Sequence, residues 1–456
     1  METFWIKALQ LILSLSLLVV IHEFGHYFFA RVFGIKVEKF YLFFNPWFSL
    51  FKWKPKKSKN PKLNPDGTEK PSWRDTEYGI GWLPFGGYCK IAGMIDESMD
   101  KEQMAQPAKP DEFRSKPAWQ RLLVMVGGVM FNFILAIIIY AGIAFYWGEK
   151  VIEFRDNKAG YDFSPTAQKA GFKNGDIPLL ADGEPLKAVD DNVMIKMAEA
   201  KNVTVLRNDA TVDIAIPENF VLKLDDDKWF LTPRFPVVVK SLQGGAAKEA
   251  GLEPGDSVIA VGGVPTPAYT EFVAELNEHK GKATDITVVR RGEELTLPIT
   301  PNDNGKLGIE LTSPTEIYPV TVVDYSLLES VPKGVDKGVN RLTTYVGSLK
   351  YLFTKDGATS MGGFGAIGNM FPDRWNWLTF WEMTAFLSVI LAFMNIIPIP
   401  ALGGGHVMFT LWEIITRRKP SEKFMEYAQM VGMLFLLTLL LYANGLDILR
   451  AVGISF

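Results

Sequence analysis

A four-span α-helical membrane protein, with two β-rich modules between its second and third spans and a membrane-associated β-hairpin after its first, is the fold class this sequence predicts. Three observations carry that expectation. Four runs are apolar over the ~20 residues that a bilayer crossing needs. The stretch between the second and third runs is soluble in composition and repeats itself. The first run ends in a cluster of ionisable residues, each of them costly inside a membrane.

Composition agrees. The 456 residues are 48% hydrophobic yet 22% charged, as expected of apolar blocks alternating with ordinary soluble ones. An aromatic content of 13% excludes disorder as the dominant state, and a net charge of −3 argues against a nucleic-acid partner. The single cysteine, Cys89, rules out an intramolecular disulfide framework.

Taken in order, residues 1–33 form the first span. They read as a span and not as a cleaved signal, because no small-residue cleavage site follows and an ionisable cluster does. Residues 34–117 form a loop with a re-entrant β segment. Its core, residues 79–93, alternates apolar and small residues around Gly86, Gly87 and Tyr88. A free strand edge there could hold an extended chain by strand addition. Trp82, Phe85 and Tyr88 equally suit an aromatic belt at the headgroups, and both readings stay open. Residues 118–148 form the second span, uncharged from 122 to 147 and carrying Asn132.

The β-rich modules are placed at 151–234 and 235–314. Residues 170–183 align with 250–263 at an offset of 80, with Ala170/Ala250, Gly171/Gly251, Gly175/Gly255, Asp176/Asp256 and Gly183/Gly263 coinciding. Each copy reads as the end of a short helix with a glycine cap, then a Gly–Asp turn, then an apolar strand closed by a turn glycine. Two copies indicate two similar modules, since a solenoid needs at least three. The acidic run at 225–227 reads as a solvated turn. Residues 315–378 are an amphipathic linker region that includes the glycine-rich run 360–371. The third span, 379–415, is interrupted by Pro398 and Pro400, and the fourth is 424–446.

Lysine and arginine in the short flanks set the orientation. The clusters at 52–62, at Arg114, Lys116 and Arg121, and at 416–423 all fall on one side if the spans alternate. That side is cytoplasmic, which puts both termini and the β-rich modules outside.

The chemistry lies in the run HEFGH. His22 and His26 at i and i+4 share a helix face, so both imidazoles can meet one Zn²⁺, and Glu23 beside them suits a general base. Near the other end, Asn395, Pro398, Pro400 and a glycine run break a helix inside an apolar span. Such a break is tolerated only where it is buried in protein or lines a wet cavity.

These motifs together resemble the site-2 protease family, in its RseP-type bacterial branch. The resemblance covers essentially the whole chain: HEFGH, WLPFGGYCKIAG at 82–93, Asn132, the paired modules and N-x-x-P-x-P-x-L at 395–402. The modules resemble tandem PDZ domains. LGIEL at 307–311 looks like a loop that caps a peptide C-terminus, and the first module has Trp229, Phe230 and Leu231 there instead.

The resemblance implies a zinc endopeptidase of the bacterial inner membrane, active in regulated intramembrane proteolysis within the envelope stress response. Its implied substrates are single-pass membrane proteins of the anti-sigma factor class. The modules would face the periplasm, the second of them open to peptide C-termini. Catalysis would rest on Glu23 and metal binding on His22 and His26, with Gly86, Gly87, Tyr88, Asn132, Asn395, Pro398 and Pro400 lining the site. The family's third ligand is the aspartate of an L-D-G-G-H run. Here the run is Leu402, Gly403, Gly404, Gly405, His406, and Gly403 cannot coordinate. Three readings follow: an altered copy of an active enzyme, a pseudo-protease or membrane adaptor, or a shell completed by His406 or a water.

Overall fold

The computed structural model describes residues 2–64, 69–94, 107–190, 192–224, 227, 229–349 and 361–452. They divide into two compact units, residues 1–147 with 325–456, and residues 148–324.

The first unit contains four helices long and apolar enough to cross a membrane. They are α1 (Glu2–Val32), α2 (Ala118–Trp147), α4 (Trp377–Ile396) and α6 (Glu422–Ala451). Two more helices complete the set, α3 (Leu327–Ser348) and α5 (Gly403–Thr416). The expected third span therefore comprises two helices. Pro398 and Pro400 each lack the N–H that a continuing helix needs. The chain leaves α4 at Ile396 and, after Ala401 at φ 82°, starts α5 at Gly403. The linker region is more ordered than its composition suggests. A Ser326–Glu329 capping box starts α3, which packs along α2. Ser360 lies outside the described residues, and residues 364–369 form a short helix.

The segment after α1 departs from expectation. It forms a four-stranded sheet of β1 (Val37–Phe44), β2 (Phe51–Trp53), β3 (Glu77–Ile80) and β4 (Leu83–Ile91), in the order β2-β3-β1-β4. Residues 79–93 are thus not a hairpin. β3 runs parallel to β1 and β4 antiparallel to it, with β1 between them. The two-residue link from β3 to β4 passes the end of β1. A Cβ on Gly81 would collide with the carbonyls of Phe43 and Phe44, so this crossing needs a glycine. β4 is left at the sheet edge. It packs against α1, where a Cβ on Gly87 would stand 2.7 Å from Val19 Cγ1. Tyr88 stacks on Tyr41 at 5.3 Å and donates its hydroxyl to Asn45 Oδ1 at 2.9 Å.

One apolar core ties these parts together. Ala30 of α1, Val37 of β1, Ile91 of β4, Val124 and Met125 of α2 and Val407 of α5 are buried in a single cluster.

In the second unit the repeat is structural. Strands Ile177–Ala181, Asn202–Arg207 and Ala210–Ala215 of the first module match Ser257–Val261, Thr284–Arg290 and Glu293–Ile299 of the second. Each Gly–Asp turn carries a buried fork. Arg207 Nε and Nη2 donate to the Asp176 carboxylate at 2.7 and 2.6 Å, and Arg290 donates to Asp256 at 2.7 Å through both nitrogens. The same arginines cap Gly171 O and Gly251 O at 2.8 Å. At the joint between modules, buried Arg234 pairs with Asp162 and Glu271, both at 2.6 Å, and Thr270 donates to Asp162 at 2.7 Å. Asp225 and Asp226 lie outside the described residues, while Asp227 accepts from Thr166 N at 2.7 Å.

The fork makes a pH prediction. Hydrogen bonds from Arg290 hold the Asp256 carboxyl below its usual range. A carboxyl depressed in the folded state contributes stability above its unfolded pKa of about 3.9 and loses it as pH falls through the folded value. Acid melting curves of the full chain should therefore steepen below about pH 4 through this group. Asp256→Asn should lower the melting temperature at pH 7 and remove that part of the slope. A variant with the parent's melting temperature and slope would show that the fork does not stabilise the module.

Candidate metal centre

The site is built where α1 and α2 approach most closely. Three glycines make that approach possible. A Cβ on Gly25 or Gly127 would strike the other's backbone. A Cβ on Gly128 would stand 2.7 Å from both His22 Nε2 and His26 Nε2, so this glycine leaves the space that the two rings occupy.

The imidazoles face each other with 3.2 Å between their Nε2 atoms. Their other nitrogens are engaged. His26 Nδ1–H donates to Val124 O at 2.8 Å, and Asn132 Nδ2 donates to His22 Nδ1 at 3.2 Å. Asn132 is fully buried. Ser388 of α4 donates to its carbonyl at 2.7 Å, which fixes α4 against the site. Glu23, in the same turn of α1 as His22, is half-buried.

The structure contains an internal test of the metal reading. Two ligands on one zinc, each about 2.0–2.1 Å from the ion, stand a little over 3 Å apart, the separation seen here. Asn132 Oδ1 is buried without a partner. A half-turn of that amide presents Oδ1 to a proton on His22 Nδ1, freeing the Nε2 lone pair for a metal. The histidine pair fits zinc in spacing and in the Val124 and Asn132 contacts that orient its rings. The third position does not. Gly403 offers no donor, and among the described residues no cluster of three or more His, Cys, Asp or Glu side chains could hold a metal.

Position 403 is nevertheless shaped for a side chain. A Cβ there would meet only Asn395 O, at 3.5 Å, in ordinary contact. Gly404 and Gly405 are different: a Cβ on the first would run into Ile396 and Ile397 carbonyls, and one on the second would lie 2.7 Å from Pro400 Cα. The packing thus requires glycine at 404 and 405 and leaves 403 open.

Peptidase family M50 matches residues 10–61 and 68–439 of the 456. The chain belongs to peptidase family M50. Among M50 relatives, the regulator of sigma-E protease RseP of Escherichia coli is 27% identical over 477 residues, covering 94% of this chain and 95% of its own. The regulator of sigma E protease of Haemophilus influenzae is 28% identical over 472 residues, covering 96% of this chain and 98% of its own. The relationship to these RseP-like proteins therefore runs the length of the molecule, and the four apolar helices make this M50 chain a multi-pass membrane protein.

The remaining sequence candidates fall in two groups. Asn395 lies beside position 403 through its carbonyl. Pro398 and Pro400 line an apolar groove with Phe424, Tyr427 and Val431 of α6. Gly86, Gly87 and Tyr88 lie on β4, whose Gly87 packs at Val19, one turn before His22. His406 is placed elsewhere. Gln429 of α6 donates to its Nε2 at 2.7 Å, and it lines a separate cavity with Arg121 and Glu413.

Asn132 was expected only to line the site, and neither Gly128 nor Ser388 stood out as a candidate in the sequence. The only signal for Gly128 was the pair Gly127–Gly128 in an otherwise bulky apolar span. Asn132 yields a test. In a chain carrying Gly403→Asp, the further change Asn132→Leu should weaken zinc retention about 10–100-fold, the usual cost of losing a group that orients a metal-binding histidine. Competition with a chelator measures this, and unchanged retention would exclude Asn132 as the group that orients His22.

Proposed function

We propose that this chain has the architecture of a site-2-type intramembrane zinc endopeptidase, directed at the spanning segments of single-pass membrane proteins of the anti-sigma factor class. The observation that carries this reading is the pair of Nε2 atoms 3.2 Å apart inside the apolar helices. His22 and His26 would hold the metal, with His26 oriented by Val124 O and His22 by Asn132. Zinc, when bound, would polarise the scissile carbonyl and the attacking water. Glu23 would take the proton from that water and return it to the leaving amide nitrogen.

A membrane-spanning substrate hides its amides in helical hydrogen bonds. β4 offers an unpaired edge beside α1, where an unwound segment would pair as an added strand. In the second outer unit, strand Ile309–Leu311 at the edge of its sheet, preceded by Gly308, supports a PDZ-type groove for peptide C-termini. The first module has Leu231–Pro233 paired with Tyr161–Phe163 in the equivalent place.

A second reading rests on Gly403: a catalytically impaired protease, or an adaptor that holds clients without cutting them. Zinc content separates the two. Purified protein with near-stoichiometric, tightly held zinc would support the enzyme, and protein without zinc the adaptor.

Orientation is testable by labelling. Asp256 is buried, so an outer probe belongs at Arg291, which is 89% exposed. In a Cys89→Ser background, a membrane-impermeant thiol reagent should label Arg291→Cys in intact cells and miss Lys57→Cys. The reverse pattern would overturn the periplasmic placement of the modules and the inner-membrane topology drawn from the basic clusters.

A further inference from the structure

We propose that the lysine-rich arm between β2 and β3 binds the anionic headgroups of the bilayer leaflet at which α1 ends, and so anchors the far edge of the sheet that follows α1.

Contacts with α1 set the depth of that sheet. Arg31 Nη2 donates to Pro71 O at 2.7 Å, the Tyr27 and Tyr78 hydroxyls are 2.8 Å apart, and a Cβ on Gly87 would stand 2.7 Å from Val19 Cγ1. Val19 and Arg31 are separated by about 18 Å of helix. Strand register carries these levels across to β2. Phe51 pairs with Ile80, Ile80 with Leu42 and Leu42 with Gly87, so Phe51 belongs to the row that meets Val19. Trp53 pairs with Tyr78 and belongs to the row that meets Tyr27. The loop before β2 lies beyond the Phe51 row. The arm after β2 lies on the other side, towards the end of α1.

Each level carries the side chains that its depth in a leaflet demands. Beyond the Phe51 row, Trp47 is 90% exposed, and Phe48 and Leu50 are exposed with it. Trp47 and Phe48 each stack on Trp82, at 6.0 and 5.7 Å. Contiguous exposed rings of this kind suit hydrocarbon and not water. At the next level Trp53 packs on Tyr78 and Trp73, at 5.8 and 6.2 Å, an aromatic belt of the type found at headgroups. Past it come Lys54, Lys56, Lys57, Lys59 and Lys62, all exposed. Among the described residues none of these ammonium groups has a hydrogen bond or an ion pair. The link between β1 and β3, residues 45–76, holds seven lysines and one arginine against three acids, Asp66, Glu69 and Asp75. Five cations would remain if every one of those acids were matched.

Basic clusters directly beside a membrane-spanning helix attract anionic lipid surfaces. A soluble polyanion would use the lysines and leave the exposed rings next to them in water, whereas a membrane surface takes up both. β2 is one edge of the sheet and β4 the other. The sheet would thus be held from two sides, by α1 at β4 and by lipid at β2.

The test uses the full chain in a Cys89→Ser background, in nanodiscs of phosphatidylcholine alone or of an equal mixture with phosphatidylglycerol. A nitroxide on Ser58→Cys, between the lysines, and in a second protein on Trp47→Cys, reports collisions with a neutral, water-soluble nickel chelate. At position 58 the anionic mixture should lower the collision rate at least about threefold. Salt at about 1 M, where the screening length is about 3 Å, should restore it. Lys54→Gln, Lys56→Gln, Lys57→Gln and Lys59→Gln together should abolish the difference between the lipids. The label at position 47 should be shielded from the chelate in both lipids, with and without these four changes. If it is exposed only in the lysine variant, that variant is misfolded and the salt series on the parent chain decides. Equal collision rates at position 58 in the two lipids, a difference that persists in high salt or in the folded lysine variant, or a label at position 47 open to the chelate in the parent chain would each overturn the proposal. Equal shielding of position 58 by soluble polyphosphate in phosphatidylcholine discs would also overturn it, by marking a site for free polyanions.

Discussion

Gly403→Asp is expected to produce the largest functional change of any single substitution in this chain. It should convert a two-histidine half-site into a three-ligand centre, with stoichiometric zinc that survives dialysis, and it should start cleavage of a single-pass reporter within its spanning segment. Steric room is the first reason. A Cβ at 403 meets only Asn395 O, at 3.5 Å, in ordinary contact, so the first atom of the new side chain displaces nothing. Ligand number is the second, because catalytic zinc sites use three protein ligands and leave one position for water or substrate. His22→Phe in the same chain should abolish both zinc retention and cleavage, which separates a metal effect from a general gain in folding. If Gly403→Asp binds no more zinc than the parent and cuts nothing, position 403 is not the third-ligand position, and the adaptor reading gains.

The second large effect concerns Glu23. In the Gly403→Asp chain, Glu23→Gln should lower the cleavage rate by about 10²–10⁴-fold, the range assigned to a positioned general base. Zinc content and melting temperature should stay at the level of Gly403→Asp alone, since the amide keeps the size of the carboxyl and Glu23 is only half-buried. A small loss of rate would remove Glu23 from proton transfer. A large loss of zinc would show instead that it helps to hold the metal.

Both experiments start from features that were legible in the sequence. HEFGH marked the candidate site because three ionisable side chains in an apolar run require a reason. The prolines at 398 and 400 located the helix break, since their missing N–H groups act locally. The offset-80 repeat disclosed the two modules through glycines and aspartates that tight turns require. What escaped was set by tertiary contact. The partners of Asp176 and Asp256 were hidden because Arg207 and Arg290 are 83 positions apart, three more than the repeat. The sheet after α1 reads as a hairpin in the sequence because β3 and β4 are separated by only two residues. Their true common partner, β1, lies some forty residues earlier in the chain. Nor could spacing show which way His406 points, which depends on a contact with Gln429 from the following helix.

The arrangement of the histidine pair also bears on how the molecule is made. His22, His26, Gly128 and Asn132 all emerge from the ribosome in the first third of the chain, and α1 with α2 can bring the rings together at that point. The wall carrying Asn395 and position 403 follows roughly 270 residues later, which at about 5–20 residues per second is a delay of tens of seconds. During that interval the nascent protein holds the histidine pair and Glu23 without α4, α5 and α6. Chain order therefore places the histidine pair early and position 403 late, when synthesis is almost complete.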